Sequence, residues 1–232
     1  MIWDSSILVA AGWSSVTIVS YVLAKALYRR WPRWWTSPLL VAPLGLMAII
    51  LAVGVSYREY IWGTHWLVTL LGPATAAFAV PIYQQRGLIR RRWPQLLVGM
   101  LVGSVTAMIS AWGLATLLGL DGSLRLSLVP RSISTPFAMV VSGQIGGVPE
   151  LTAFFVVFTG VLGAALGEVM LLWLPLRTVL ARGALFGMGA HAIGAAKAYQ
   201  IGREEGSIAG LMMVLVGVLN VLAAPLLAHL LK

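Results

Sequence analysis

The sequence predicts an all-α, polytopic integral membrane protein, and three observations carry that prediction. Only 10% of the 232 residues are charged, whereas soluble domains carry about a quarter. Hydrophobic residues make up 59% and gather into runs such as Pro38–Val55, Leu96–Leu118, Leu151–Leu174 and Ile208–Leu231. Runs of this kind suit helices that cross a bilayer, which takes ~20 apolar residues each. The charges sit in short clusters between the runs. The formal charge of +9 therefore reads as a set of topology signals; a nucleic-acid surface needs a solvated basic face.

The chain divides into seven candidate spans: Ser5–Leu27, Pro38–Tyr57, His65–Tyr83, Trp93–Leu118, Glu150–Leu174, Gly183–Gln200 and Ser207–Leu231. Asp4, with no basic stretch ahead of the first run, argues against a cleaved signal peptide. Basic clusters belong on the cytoplasmic side. Lys25, Arg29, Arg30 and Arg33 mark the first inner connection; Arg86, Arg90, Arg91 and Arg92 mark the next, and Arg177 and Arg182 a later one. Glu59, Asp121, Glu150, Glu204 and Glu205 fall in the intervening connections. This alternation predicts a multi-pass membrane protein with its N-terminus outside and its C-terminus cytoplasmic. Trp31, Trp34, Trp35, Trp93 and Trp173 would form the inner aromatic belt, with Trp62 and Trp66 in the outer one.

Residues 127–147 do not read as an ordinary span. Pro130, Pro136, Gly143, Gly146 and Gly147 interrupt them, and they must start and end on the same side. A re-entrant segment or broken helix satisfies both demands, because irregular backbone at membrane depth must be buried in protein or line a cavity. An amphipathic external loop is the alternative.

An internal match suggests inverted repeats over residues 28–118 and 149–231. Residues 74–84 (ATAAFAVPIYQ) and 190–200 (AHAIGAAKAYQ) agree at Ala74/Ala190, Ala76/Ala192, Ala79/Ala195, Tyr83/Tyr199 and Gln84/Gln200. Each is the short, interrupted middle span of three. Paired interrupted spans in oppositely oriented halves point to a transporter with a midplane site. Chance similarity between alanine-rich helices is the other explanation.

No enzymatic constellation is present: no H-E-x-x-H, no G-x-S-x-G, no phosphate loop and no intramembrane aspartate pair. The chain has no Cys, which removes disulfides and thiolate chemistry. The expectation is a non-enzyme without cofactor or metal. Three segments carry polar groups suited to an anion. Gly72-Pro73-Ala74-Thr75, followed by Pro81, can open a half-helix whose free N–H groups attract negative charge. Arg131, Ser132, Ser134 and Thr135 offer a cation and three hydroxyls between Pro130 and Pro136; Arg binds carboxylates bidentately. His191 and Lys197 share a face only if Gly194 breaks their helix, since six residues turn a helix through ~600°.

Each group also has a structural reading. Arg131 could be an interfacial charge, the hydroxyls helix caps, Lys197 a snorkelling side chain and His191 a donor to backbone. Ionisable groups inside membranes are costly, which favours function for Arg131 and its hydroxyls. Glu168 follows a small-residue stripe, Gly160-x-x-Gly163-x-x-x-Gly167, suited to close helix contact. It reads as a proton relay or, preferably, as a partner for Arg177 or Arg182.

These segments resemble the LrgB/CidB family: Gly72-Pro73-Ala74-Thr75 with Ala79-Val80-Pro81-Ile82-Tyr83, Pro130 to Met139, Gly146-Gly147-x-Pro149, and Ala190 to Lys197 with Glu205-Gly206. The similarity runs in order through essentially the whole chain. It implies antiholin-like regulation of murein hydrolase activity and cell lysis, with a small LrgA/CidA-type membrane partner. It also implies transport of small 2-hydroxy or 2-oxo monocarboxylates such as glycolate, glycerate, lactate and pyruvate, as in the related plastidial glycolate/glycerate translocator. The family's hydroxyls around the last motif are replaced here by Ala190 and Ala195, and its frequent Lys by Arg131.

The expected function is a monocarboxylate carrier working by alternating access, with Arg131 on the carboxylate and Thr75, Ser132, Ser134 and Thr135 orienting it. His191 and Lys197 would complete the site, with His191 the preferred group for proton coupling. The antiholin-like regulator is the alternative. Besides the carboxylate and the bilayer, a homodimer is expected from the small-residue stripes, and no nucleic acid.

Overall fold

The computed structural model describes residues 2–31, 33 and 36–230. Trp34 and Trp35 of the expected belt, and Leu231 at the end of the last expected span, lie outside the described residues. The fold is all-α and polytopic, as the composition predicted. Among the described residues, five helical stretches are long and apolar enough to cross a membrane: Leu8–Arg30, Tyr57–Gln84, Arg86–Leu117, Pro149–Trp173 and Arg203–Leu230. The chain forms two compact units that divide between Pro73 and Ala74.

In the first unit, α1 (Ile2–Arg30) packs against α2 (Pro38–Val53) and α3 (Tyr57–Thr69). Gly63 lets α3 approach the Ala10 backbone, and Ser14 Oγ donates to the Gly63 carbonyl at 3.0 Å. Trp66 Nε1 in turn donates to Ser14 Oγ at 2.7 Å. The second span ends at Val53, not Tyr57, because Gly54 takes a left-handed C-cap with φ 72°. The third starts at Tyr57, ahead of the expected His65. Ser56 and Glu59 close a reciprocal capping box there, a start signal written in the sequence as S-x-x-E.

The helix α4 (Leu71–Ala77) runs across the division, and α5 (Ala79–Gln84) follows after a break at Phe78. In the second unit, α6 (Arg86–Leu117) kinks at Arg92, just ahead of Pro94, whose ring cannot fit a straight helix. Next come α7 (Gly122–Leu128), a 3-10 turn (Val129–Ser132) and α8 (Thr135–Ile145). The chain continues through α9 (Pro149–Trp173), α10 (Val179–Gly189), α11 (His191–Ile201) and α12 (Arg203–Leu230). The core gathers on α12, where Leu211, Met212, Val214 and Val216 are buried against α8, α10 and α11.

Residues 122–147 form a helical hairpin that is broken at the 3-10 turn. Its entry and exit are stitched together at one level. Ser127 Oγ accepts from Val148 N at 2.8 Å, and Thr152 Oγ1 reaches both the Ser127 carbonyl, at 2.9 Å, and Ser142 Oγ, at 2.7 Å. Gly146, at φ 92°, makes the turn out of α8.

The expected sixth span, Gly183–Gln200, is not one continuous helix but a second helical hairpin built from α10 and α11. Along α10 the order of contacts is Phe186 beside Gly167, then Gly189 beside Gly163, so α10 runs antiparallel to α9. After Ala190 the chain reverses: α11 returns along α10, with Gly194 against the Phe186 carbonyl and Lys197 paired with Glu168. Arg182, near the start of α10, forms an ion pair with Glu205 at 2.8 Å, just beyond the end of α11. Arg182 and Glu205, expected on opposite membrane faces, therefore lie together at one end of the unit. The break lies at Ala190–His191, where His191 has φ 44°, and not at Gly194. Gly194 sits inside α11 because any side chain there would strike the Phe186 carbonyl.

This reversal changes the parity of the chain. Gln85 bonds Ser207 and Ser104 bonds Asn220, so α6 and α12 run in the same direction. Leu230 thus lies at the end of the unit where Leu117 and Glu150 lie, away from Arg86 and Arg182. The third elements of the two expected repeats should run oppositely, and they do not. Opposed orientation appears instead between α6 with its hairpin and α9 with its hairpin.

Candidate functional site

The two hairpins enter the second unit from opposite ends, separated by the length of α9. Their tips meet near its middle. Hairpin one turns at the 3-10 segment, where Pro130 sets a fixed φ, and Pro136, in the first turn of α8, needs no N–H partner. Hairpin two turns at Gly189–His191. A side chain at Gly160 would meet His191 Nδ1 at 3.3 Å and Ile193 Cδ1 at 2.9 Å, and one at Gly163 would meet the Gly189 carbonyl. The small-residue stripe of α9 is thus the seat for this tip, the close contact its spacing predicted. In lipid, where apolar burial does not drive helices together, such approach of backbones is what holds the hairpin.

Arg131 and His191 are brought together: the imidazole lies against the Arg131 main chain and within reach of its charge. Arg131 is half-buried, while His191 is only 3% exposed. Two buried polar atoms at the tips have no hydrogen-bond partner, Ser134 Oγ and His191 Nε2. Ser134 precedes the first turn of α8 yet makes no side-chain cap, so its hydroxyl and the free N–H groups of that turn share one place. His191 is the first residue of α11. Both hairpins therefore present a helix N-terminus and an unsatisfied side chain where they turn.

A cavity of about 440 Å³ borders both tips. Its walls come from the 3-10 turn and Ile133, the end of α10, and the middles of α6 and α12. Ser132 lines it; Arg131, Ser134, Thr135, His191 and Lys197 do not. Its other polar side chains are Ser104, Thr106 and Asn220.

The remaining expected residues lie elsewhere. Lys197 and Glu168 pair with each other toward the base of hairpin two, where both side chains are substantially exposed, at 32% and 50%. Glu168 therefore pairs with neither Arg177 nor Arg182. Thr75 is half-buried in α4, the helix that includes Gly72 and Pro73; Pro81 lies within α5. Thr135 opens α8 at the tip. Among the described residues, no group of three His, Asp or Glu side chains could hold a metal.

The sequence reading missed Ser104 and Asn220, which hydrogen-bond at 2.9 Å in the core. The signal was present: Asn220 is the only asparagine in the chain and stands inside an apolar run. The hydroxyl network of Ser127, Ser142 and Thr152 was missed as well, because its members lie far apart in sequence.

Comparison with known proteins places the chain. The LrgB-like family matches residues 17–230. YwbG of Bacillus subtilis (strain 168), an uncharacterized protein, is 40% identical over 212 residues, covering 91% of this chain and 94% of YwbG. YxaC of the same organism is 36% identical over 215 residues, covering 93% and 94%. The antiholin-like protein LrgB of Bacillus mycoides (strain KBAB4) is 32% identical over 213 residues, covering 91% and 92%. No solved structure matches. From the LrgB-like match through nearly its full length, the chain belongs to the LrgB-like family.

Proposed function

We propose that this protein carries a small monocarboxylate across the bacterial inner membrane by alternating access. One observation carries the reading: two hairpins from opposite ends meet at Arg131 and His191 with Ser134 Oγ and His191 Nε2 unsatisfied. Polar groups in a membrane interior are costly, and leaving them without partners suits a place that a ligand fills. The carboxylate would lie at the tips, held by Arg131, by the hydroxyls of Ser132 and Ser134, and by helix N-terminal donors. Each hairpin would act as the gate toward its own side. With Arg86–Arg92 cytoplasmic, hairpin two opens inward, hairpin one outward, and the C-terminal end lies outside. Lys197 is assigned to the support of hairpin two, not to the cargo.

The second reading is an antiholin-like regulator of murein hydrolase activity and cell lysis, acting with a small LrgA/CidA-type membrane partner. The name of the Bacillus mycoides relative favours it directly, while the hairpin geometry favours the carrier.

Uptake of radiolabelled glycolate into proteoliposomes separates the two. The carrier reading expects saturable uptake, competed by pyruvate and reduced to the empty-vesicle baseline by Arg131→Ala, with partial uptake in Arg131→Lys, which keeps the charge but not the bidentate fork. Uptake at baseline in the folded wild type, with and without the small partner, together with altered autolysis in cells lacking the protein, would establish the regulator.

A further inference from the structure

We propose that Ser104 and Asn220 form a hydroxyl-reading pair that determines which acids the carrier accepts. The proposal rests on the carrier reading and extends it to the cavity beside the hairpin tips. That cavity is walled mostly by apolar side chains such as Met108, Val129, Leu185 and Met188, and no ionisable side chain lines it. It therefore suits the uncharged end of a cargo whose carboxylate stays at the tips. At about 440 Å³ it has room for a two- or three-carbon acid together with several waters, each filling ~30 Å³.

The pair is built for one kind of group. Asn220 is 2% exposed, and its Nδ2 donates to Ser104 Oγ at 2.9 Å and to the Val216 carbonyl at 2.7 Å. A carbonyl only accepts, so the Val216 contact fixes which end of the amide is nitrogen. Both amide hydrogens are then in use. What remains is the Asn220 Oδ1 acceptor and the Ser104 hydroxyl hydrogen, neighbours in a pair that lines the cavity. One acceptor beside one donor matches an alcohol, which gives one hydrogen and accepts another. A methyl group in the same place would leave both unsatisfied. Ser104 and Asn220 lie near the middles of α6 and α12, level with the hairpin tips that share the cavity.

The test is competition against radiolabelled glycolate uptake in proteoliposomes holding the full chain. Lactate and propionate are the competitors, since they differ by one hydroxyl. In the wild type, lactate should compete at ~10-fold lower concentration than propionate, the worth of one or two neutral hydrogen bonds. Ser104→Ala and Asn220→Leu should each bring the two acids to within about 2-fold, while Ser104→Thr keeps the preference. A purely structural role would lower uptake of every acid and leave the ratio unchanged, and that result overturns the proposal. Ser104→Ala removes a single oxygen and carries the test if Asn220→Leu does not assemble. Wild type that takes up glycolate without preferring lactate sinks the pair alone. Wild type that takes up no glycolate removes the carrier reading and the pair with it.

Discussion

The two hairpins of the second unit have the same plan and are held by different chemistry. Hairpin one is tied at its base by hydroxyls: Ser127, Ser142 and Thr152 join the end of α7, the end of α8 and the start of α9. Its turn is rigid through Pro130 and Pro136. Hairpin two has no side-chain hydrogen bond of this kind among the described residues. It is held by missing side chains, with Gly163, Gly167, Gly183, Gly187 and Gly194 each admitting a neighbouring backbone or ring. Two ion pairs close its base. The difference teaches that a helical hairpin inside a bundle can be held either by directed hydrogen bonds or by close glycine packing.

Substitutions sharpen this contrast. The largest stability loss is expected for Gly163→Leu, whose side chain would enter the Gly189 carbonyl and push the tip of hairpin two off α9. Overpacking of this kind costs about 3 kcal/mol, seen as a lowered Tm in detergent together with lost uptake. Thr152→Val should follow, at about 2 kcal/mol, because it leaves the Ser127 carbonyl and Ser142 hydroxyl without their shared partner. Lys197→Gln should be nearly silent. Its exposed pair with Glu168 is worth less than about 1 kcal/mol, so uptake and Tm should stay close to wild type. If Gly163→Leu were tolerated, or Thr152→Val were the more damaging, the contrast between packing and hydrogen bonding would be wrong.

The same contrast explains what the sequence could show. Hairpin one was legible because its device is polar and interrupted: Pro130, Pro136 and the Gly146-Gly147 turn cannot form an ordinary span. Hairpin two is rich in Ala and Gly, so hydropathy sees a short sixth span where the backbone in fact reverses. The fold-back is written in contacts between α9, α10 and α12 that no local pattern reveals. Arg131, Ser132, Ser134 and His191, expected from charge and hydroxyls at helix breaks, lie at the turns of the two hairpins. Lys197 was grouped with them on the expectation that Gly194 breaks its helix; the break lies at Ala190–His191 instead, and Lys197 pairs with Glu168. Asn220 stands out as the chain's one asparagine inside an apolar run, but only the crossing of α6 and α12 pairs it with Ser104.

Opposed hairpins meeting at one site are the central claim, and sidedness of the second hairpin tests it most directly. The chain has no native cysteine, so single cysteines can be introduced at the exposed positions Arg177 and Arg203, with Asp121 and Glu150 as references. Labelling whole cells and inverted vesicles with an impermeant maleimide reports the side of each. The account predicts that positions 177 and 203 label from one side and positions 121 and 150 from the other. Labelling of 177 and 203 from opposite sides would make the segment a crossing helix and contradict the meeting of two re-entrant tips.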